Sequence, residues 1–320
     1  MQLGKHRGKW VVKVGTGTER RRYSTGLEAT PENREAAERE KDKLGRQLAA
    51  PSTDLIADIF RAYLSDIKES TSERQQYAWK ALAPIFAGMT PAQVNRDACR
   101  RHHQSRLTQG IKPGTINREL NALNAALHWH DKFTPAVIEA LPSDPPRDRV
   151  LSREEFGRLL DASKRTPHLH TFLHLAIATA GRKGAILELT WPQVRFEGNQ
   201  IWLGFKPSGK RRATVPMTNA LREILEKTRR ENVSEFVVEY EGRRVINVRK
   251  SFANALKLAG IAHCTIHDIR HTAAVWMVGA GVSMSEVSQY LGHTSTNVTE
   301  RVYARYQPEH LTKAAAALEV

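Results

Sequence analysis

Trp10, Val12 and Val14 alternate with other residues, the two-residue period of a strand with one covered face. Gly15-Thr16-Gly17-Thr18 supplies a turn, and Arg20-Arg21-Arg22-Tyr23-Ser24-Thr25 can return as a second strand. Residues 1 to about 28 therefore read as a small β unit. Thr30-Pro31 predicts a helix start, with Thr as cap and Pro in the first turn. That helix is polar through Glu38-Arg39-Glu40-Lys41 and reads as a connector. From residue 53 to 131 the period becomes helical. One segment starts at Asp54 and carries Leu55, Ile59, Tyr63 and Ile67; another starts at Thr90-Pro91; a third follows Gly114-Thr115 and aligns Ile116, Leu120, Leu123 and Leu127. The pattern predicts a bundle of about four helices.

Leu141-Pro142-Ser143-Asp144-Pro145-Pro146-Arg147 breaks the pattern, since prolines at this density cannot continue a helix. Directly afterwards Ser152-Arg153-Glu154-Glu155 is a capping box before Phe156, Leu159 and Leu160. The remainder reads as helical, apart from a β interlude over about 194–216 with Ile201-Trp202-Leu203 and Thr214-Val215 as strands. A tail from Pro308 through Leu311, Ala314-Ala315-Ala316-Ala317 and Leu318 reads as a short apolar helix. The expected fold is mainly α with small β elements. Its expected parts are a basic β unit with connector helix (1–50), a helical domain (53–140) and a larger, mostly helical domain (148–320).

Charge changes the picture next. Lys and Arg number 49 against 34 Asp and Glu, a formal net charge of +15 that points to a polyanionic partner, most often nucleic acid. Arg96, Arg100, Arg101, His102, His103 and Arg106 crowd one stretch, readable as a DNA-facing surface or as a solvated face. The Arg20–Arg22 run has the same two readings, DNA phosphates or a charge-protected edge strand. No run of about 18 apolar residues predicts a membrane span, and the first 30 residues lack a signal-peptide core. Cys99 and Cys264 stand far apart, which suits a reducing, cytoplasmic setting and argues against a disulfide frame or a cysteine-rich zinc site.

Breaking a phosphodiester without a metal requires fixed cations for the phosphate oxygens, a nucleophile, and an acid for the leaving oxygen. His267-Asp268-Ile269-Arg270 opens a helix predicted to run through Ala273, Val275, Trp276 and Met277, and a spacing of three puts His267 and Arg270 on one face. Gly281 stops that helix; Ser283 and Glu286 cap the next, which ends at Tyr290-Leu291-Gly292-His293. Tyr303 lies ten residues beyond His293, within Thr299-Glu300-Arg301-Val302-Tyr303-Ala304-Arg305-Tyr306. Tyr306 is its near competitor, one helical turn on.

This ordered set resembles the second box of the tyrosine recombinases, the phage integrase family. Ala178-Thr179-Ala180-Gly181-Arg182-Lys183-Gly184-Ala185 through Leu189-Thr190-Trp191 is similar to that family's first box. The resemblance implies an arm-binding, core-binding and catalytic layout, with Arg182, Lys206, His267, Arg270, His293 and Tyr303 as catalytic residues. Tyr303 would form a 3′-phosphotyrosyl link, Arg182, Arg270 and His293 would hold the phosphate, His267 would take or steer a proton, and a hairpin lysine would protonate the leaving 5′-oxygen. Lys206 matches that lysine and Lys210 remains the alternative. Many members carry an acid three places after the first arginine; here the position is Ala185. No metal or cofactor is expected. Expected partners are double-stranded DNA, a homotetramer on paired sites and an accessory directionality factor. Three other readings share parts of the pattern: a catalytically inactive DNA-binding regulator of the same fold, a type IB topoisomerase-like relaxing enzyme, and a zinc hydrolase using His263, His267 and His271 at spacings of four.

Overall fold

The computed structural model describes residues 1–14, 21–49, 52–132, 134–142, 148–204, 213–307 and 318. The chain divides into two units, Met1–Pro146 and Arg147–Val320. The proposed turn at 15–18, the prolines at 145 and 146 and the tail at 308–317 lie outside the described residues.

The first unit opens with three antiparallel strands in the order β1 (Gln2–His6), β2 (Lys9–Val14), β3 (Arg21–Glu28), one more than the sequence pattern implied. β1 escapes a periodicity search because Gln-Leu-Gly-Lys-His carries one large apolar residue. Its signal is the turn: Arg7 and Gly8 both have positive φ, 46° and 74°, the two-residue geometry that matches strand twist. Helix α1 (Arg34–Ala49) is more than a connector. Its Ala37 and Leu44 are fully buried, and Leu44 packs with Val12, Leu3, Val14 and Tyr23 on the sheet.

Helices α2 (Ile56–Asp66), α3 (Glu69–Phe86), α4 (Arg96–Thr108) and α5 (Pro113–His130) form the bundle of this unit. Phe60, Leu82, Phe86, Leu123 and Leu127 fill its core. Thr90-Pro91 does not start α4. It caps a single 3-10 turn over Pro91–Gln93, and Asn95 starts the helix by accepting the Ala98 N–H at 2.9 Å. The basic run on α4 divides in two. Arg96, Arg100 and Arg101 are exposed. His102 and His103 are buried, and the buried Glu119 of α5 binds His102 at 2.9 Å and Arg106 at 2.7 Å. Part of what the sequence shows as surface charge is thus internal pairing, which a buried carboxylate requires.

The second unit contains α6 (Arg153–Ser163), α7 (Pro167–Thr179), α8 (Lys183–Leu187), strands β4 (Val194–Arg195), β5 (Gln200–Trp202) and β6 (Thr214–Pro216), α9 (Asn219–Glu231), the β7 (Glu239–Tyr240) and β8 (Arg243–Arg244) hairpin, α10 (Arg249–Leu258), α11 (Ile266–Gly279), α12 (Met284–Leu291) and α13 (Thr296–Tyr303). β4, β5 and β6 pair antiparallel in that order, so the interlude has a strand beyond the two expected. The capping boxes at Ser152/Glu155 and Ser283/Glu286 form as the spacing predicts. The main core gathers Leu151, Phe172, Leu175, Ile201, Leu225, Phe252 and Ile269. A smaller cluster joins Ala180, Ala273, Ala274, Val278, Val287, Leu291 and Tyr303. Among the described residues no helix is long and apolar enough to cross a membrane.

One polar chain inside this unit has a pH consequence. Ser163 Oγ donates to Leu160 O at 2.6 Å, so it accepts from His170 Nδ1 at 2.8 Å. His170 Nε2 then offers its lone pair to His174 Nε2, 3.2 Å away. Burial first, and the neighbouring His170 second, push the His174 pKa down to about 4. The unfolded chain takes up this proton near pH 6.5 and the folded chain resists until about pH 4. Stability is therefore complete above pH 6.5 and falls as pH drops toward 4. His174 is half-buried, so solvent screening reduces the effect to roughly 1–2 kcal/mol. His174→Gln is expected to lessen the loss of stability between pH 7 and pH 4.5 by that amount in urea titrations. Equal acid losses in both proteins would sink this assignment.

Candidate active site

Arg182 stands at the start of α8, and the path of the chain into it is tightly set. Helix α7 ends at Ala180 in the left-handed region, φ 46° and ψ 28°. Gly181 comes next. A Cβ there would sit 2.9 Å from Thr179 Oγ1 and 3.0 Å from Ile186 Cγ1, so no larger residue fits without displacement. The buried Thr179 hydroxyl donates to Leu175 O at 2.6 Å and accepts the Gly181 N–H at 3.1 Å. Arg182 thus leaves a rigid corner in extended conformation, φ −67° and ψ 142°.

Arg270 lies beside this corner. It projects from α11, whose start is held by Thr265 N–H donating to Asp268 Oδ2 at 2.7 Å. Its guanidinium is buried and forked: Nη1 donates to Ala180 O at 2.6 Å and Nη2 to Leu291 O at 2.8 Å. The same Nη2 lies 3.2 Å from His293 Nε2. Arginine only donates, so His293 Nε2 presents its lone pair and Nδ1 carries the hydrogen, donating to Thr299 Oγ1 at 2.8 Å. Arg270 therefore binds the end of α7, the end of α12 and His293 to one another. Among the described residues no carboxylate pairs with it. Burial, then the charge of Arg182, push its pKa down to about 10. Burial also lowers the His293 and His267 pKa values, with Arg270 the next cause for each. Both imidazoles are neutral at neutral pH.

His267 stands one turn before Arg270 on α11, on the open side of the site. The two line a cavity of about 450 Å³ with Gly181, Lys183, Arg249, Phe252, Thr265 and Ile266. None of these is acidic. Tyr303 ends α13 and is buried as a member of the small cluster that also holds Ala180 and Ala273. Burial raises its pKa and the Arg270 charge lowers it, burial being the larger. Tyr306 is directed elsewhere, its hydroxyl donating to Asp148. The zinc-hydrolase spacing does not hold, because α11 starts at Ile266 while His263 precedes it in a left-handed conformation, φ 53°.

The structure therefore brings Arg182, His267, Arg270, His293 and Tyr303 into one electrostatic neighbourhood. Residues 149–310 match the phage integrase family. The chain belongs to that family of tyrosine-type, site-specific DNA recombinases. The integrase of Salmonella phage P22 is 25% identical over 304 residues, covering 88% of this chain and 74% of its own length. The fold is similar to that of a lambda integrase tetramer bound to a Holliday junction, with a TM-score of 0.65, 16% identity, and coverage of 94% of both chains. It is also similar to the Tn1549 transposon integrase in complex with a circular intermediate DNA, with a TM-score of 0.71, 14% identity, and coverage of 82% of this chain and 99% of the other.

Two sequence expectations for the recombinase fall differently. Lys206 and Lys210 both lie outside the described residues. Ala185 is buried among Ile186 and Leu187, so α8 supplies no acidic partner at that position. Three further residues of the recombinase's site are not singled out by the sequence, although Lys183 and Thr299 lie inside its two motif segments. Lys183 and Arg249 add cations to the cavity, and Thr299 orients His293. Lys183 adjoins Arg182 and is open to suspicion on that ground; Arg249, on α10, carries no local signal.

Proposed function

We propose that the recombinase cuts and rejoins DNA strands through a covalent 3′-phosphotyrosyl intermediate on Tyr303. The observation that carries this reading is the buried Arg270, which has Arg182 nearby and no carboxylate partner among the described residues. A buried cation without a counter-charge is costly, and a backbone phosphate supplies the missing anion. Arginine suits the task because its planar fork binds phosphate oxygens in pairs.

In this reading the Tyr303 oxygen attacks the scissile phosphorus as its proton leaves, and the bond from phosphorus to the 5′-oxygen breaks. His267, neutral at neutral pH, accepts or steers the tyrosine proton. Arg182 and Arg270 stabilise the charge that builds on the non-bridging oxygens. His293 donates to the same phosphate once it gains a second proton, which the approaching anion favours. Lys206, or Lys210, protonates the departing 5′-oxygen. The phosphotyrosyl bond keeps the energy of the diester, so the reverse attack by a 5′-hydroxyl reseals the strand.

The same reading assigns the partners. Double-stranded DNA is the substrate, four protomers act on paired sites, a number that matches the lambda integrase tetramer bound to a Holliday junction, and an accessory factor sets direction. Exposed Arg96, Arg100 and Arg101 on α4 contact DNA from the helical domain, and the basic β unit with its helix, residues 1–50, serves outlying sites. The test is to incubate the full chain with nicked duplexes tiled across both ends of the genetic element that carries its gene. Covalent protein–DNA adducts are expected, and the adducted peptide is expected to contain Tyr303. An absence of adducts on every duplex defeats the proposal.

A further inference from the structure

Asp148 lies just ahead of α6, and its carboxylate collects donors from two distant places in the second unit. Oδ1 accepts from His271 Nε2 at 3.2 Å and from the Tyr306 hydroxyl. Oδ2 pairs with Arg305 Nη2 at 2.7 Å, and Arg305 also donates to the Tyr306 oxygen at 3.2 Å. His271 follows Arg270 on α11, and Arg305 and Tyr306 belong to the 3-10 turn Ala304–Tyr306 that continues directly from Tyr303. The His271 ring also lies against Tyr303, with centroids 5.3 Å apart and planes inclined by 32°.

Asp148 is itself on a fixed stretch of chain. Leu151 N–H donates to Thr272 Oγ1 at 3.0 Å, and Trp276 Nε1 donates to Leu151 O at 3.2 Å. Arg153 stacks on Trp276 with its guanidinium 3.6 Å from the ring centre. One carboxylate thus connects α11, which carries His267 and Arg270, with the segment that carries Tyr303. The Tyr306 hydrogen bond first, with His271 and Arg305 adding, holds the Asp148 pKa below its usual value, so the carboxylate stays ionised at neutral pH.

We infer that Asp148 is a positioning residue for the nucleophile: through His271, Arg305 and Tyr306 it holds Tyr303 against Arg270. The inference rests on Tyr303 being the nucleophile. The carboxylate is 42% exposed and the Arg305 side chain 56%, so the ion pair itself adds little to stability. Its effect is geometric. Displacing a reacting oxygen by about 1 Å can cost up to ~100-fold in rate, whereas the apolar cluster around Tyr303 does not need Asp148 to form.

The experiment compares wild type, Asp148→Asn, Asp148→Ala, Tyr306→Phe and the Asp148→Ala/Tyr306→Phe double variant, all as full-length chains on a nicked duplex that the wild type cleaves. The single-turnover rate of adduct formation, DNA affinity and melting temperature are read together. Asp148→Ala is expected to lower the rate roughly tenfold with affinity within about twofold and melting within about 2 °C of wild type. Asp148→Asn, which keeps the shape but only one acceptor oxygen and turns an NH2 donor toward the other partner, is expected to fall between. Adding Tyr306→Phe to Asp148→Ala is expected to change the rate less than about twofold, because both act through one network. A full wild-type rate in Asp148→Ala, a parallel loss of rate, affinity and melting temperature, or additive losses in the double variant overturns the role of Asp148 alone. A wild-type chain that forms no adduct overturns the functional reading as well.

Discussion

Replacing Tyr303 by phenylalanine is expected to abolish covalent adducts, a loss on the order of 10⁴-fold or more, while leaving the fold and DNA affinity intact. The change removes one oxygen. The ring keeps its place among Ala180, Ala273, Ala274 and Leu291. Among the described residues nothing hydrogen-bonds to the hydroxyl, so no buried partner is orphaned and stability is expected to move by less than about 0.5 kcal/mol. Burial raises the Tyr303 pKa, so at neutral pH the oxygen carries its proton; on the proposed mechanism that proton leaves as the oxygen attacks, and phenylalanine has no oxygen to attack with. Tyr306→Phe provides the contrast. Its hydroxyl belongs to the Asp148 network, and its loss is expected to slow adduct formation without abolishing it. Gel assays of adducts on nicked duplexes, with melting and binding measured alongside, separate the two. Adducts that survive Tyr303→Phe and vanish with Tyr306→Phe would transfer the nucleophile to position 306.

The elements around the site are legible in the sequence because local rules govern them. Ser283 and Glu286 cap α12, Ser152 and Glu155 cap α6, and the helix opening near His267 carries that residue and Arg270 a turn apart, as spacing alone requires. Elements with weak local signals are not. β1 has almost no apolar period, and the β7–β8 hairpin consists of two-residue strands around Glu241 and Gly242. The pattern misplaces the start of α4 because Thr90-Pro91 is a good cap that serves only one 3-10 turn. The polar α1 reads as a connector because, among its described side chains, the fully buried ones, Ala37 and Leu44, are too few to mark a face. The site's internal bonds are beyond any local rule. Arg270 meets Ala180 across 90 positions, and Asp148 meets Tyr306 across 158. Sequence order points to Arg182, Arg270 and His293 as a set; it does not reveal that Arg270 is the piece that holds the other two segments in place.

That double service makes Arg270→Lys the other substitution with a large expected effect, on activity and on stability together. A lysine keeps the charge and loses the fork. Its single ammonium cannot serve Ala180 O and Leu291 O, on the ends of two different helices, and also lie beside His293 as the guanidinium does. At least one buried carbonyl is left unpaired, at a cost of about 1–3 kcal/mol. The Arg182 corner and the His293 segment then lose their common anchor. Adduct formation is expected to fall by roughly 10²–10³-fold, the scale of removing one fixed donor from a developing oxyanion. Urea unfolding of the same protein is expected to shift by about 1–3 kcal/mol. Arg182→Lys separates the two services, because Arg182 is only half-buried and extends from a corner built by backbone and Thr179. It is expected to lose activity on a similar scale with less than about 1 kcal/mol of stability. Equal destabilisation by the two substitutions would mean that Arg270 does not anchor the site. Full activity in Arg270→Lys would mean that charge alone, without the fork, is what the phosphate requires.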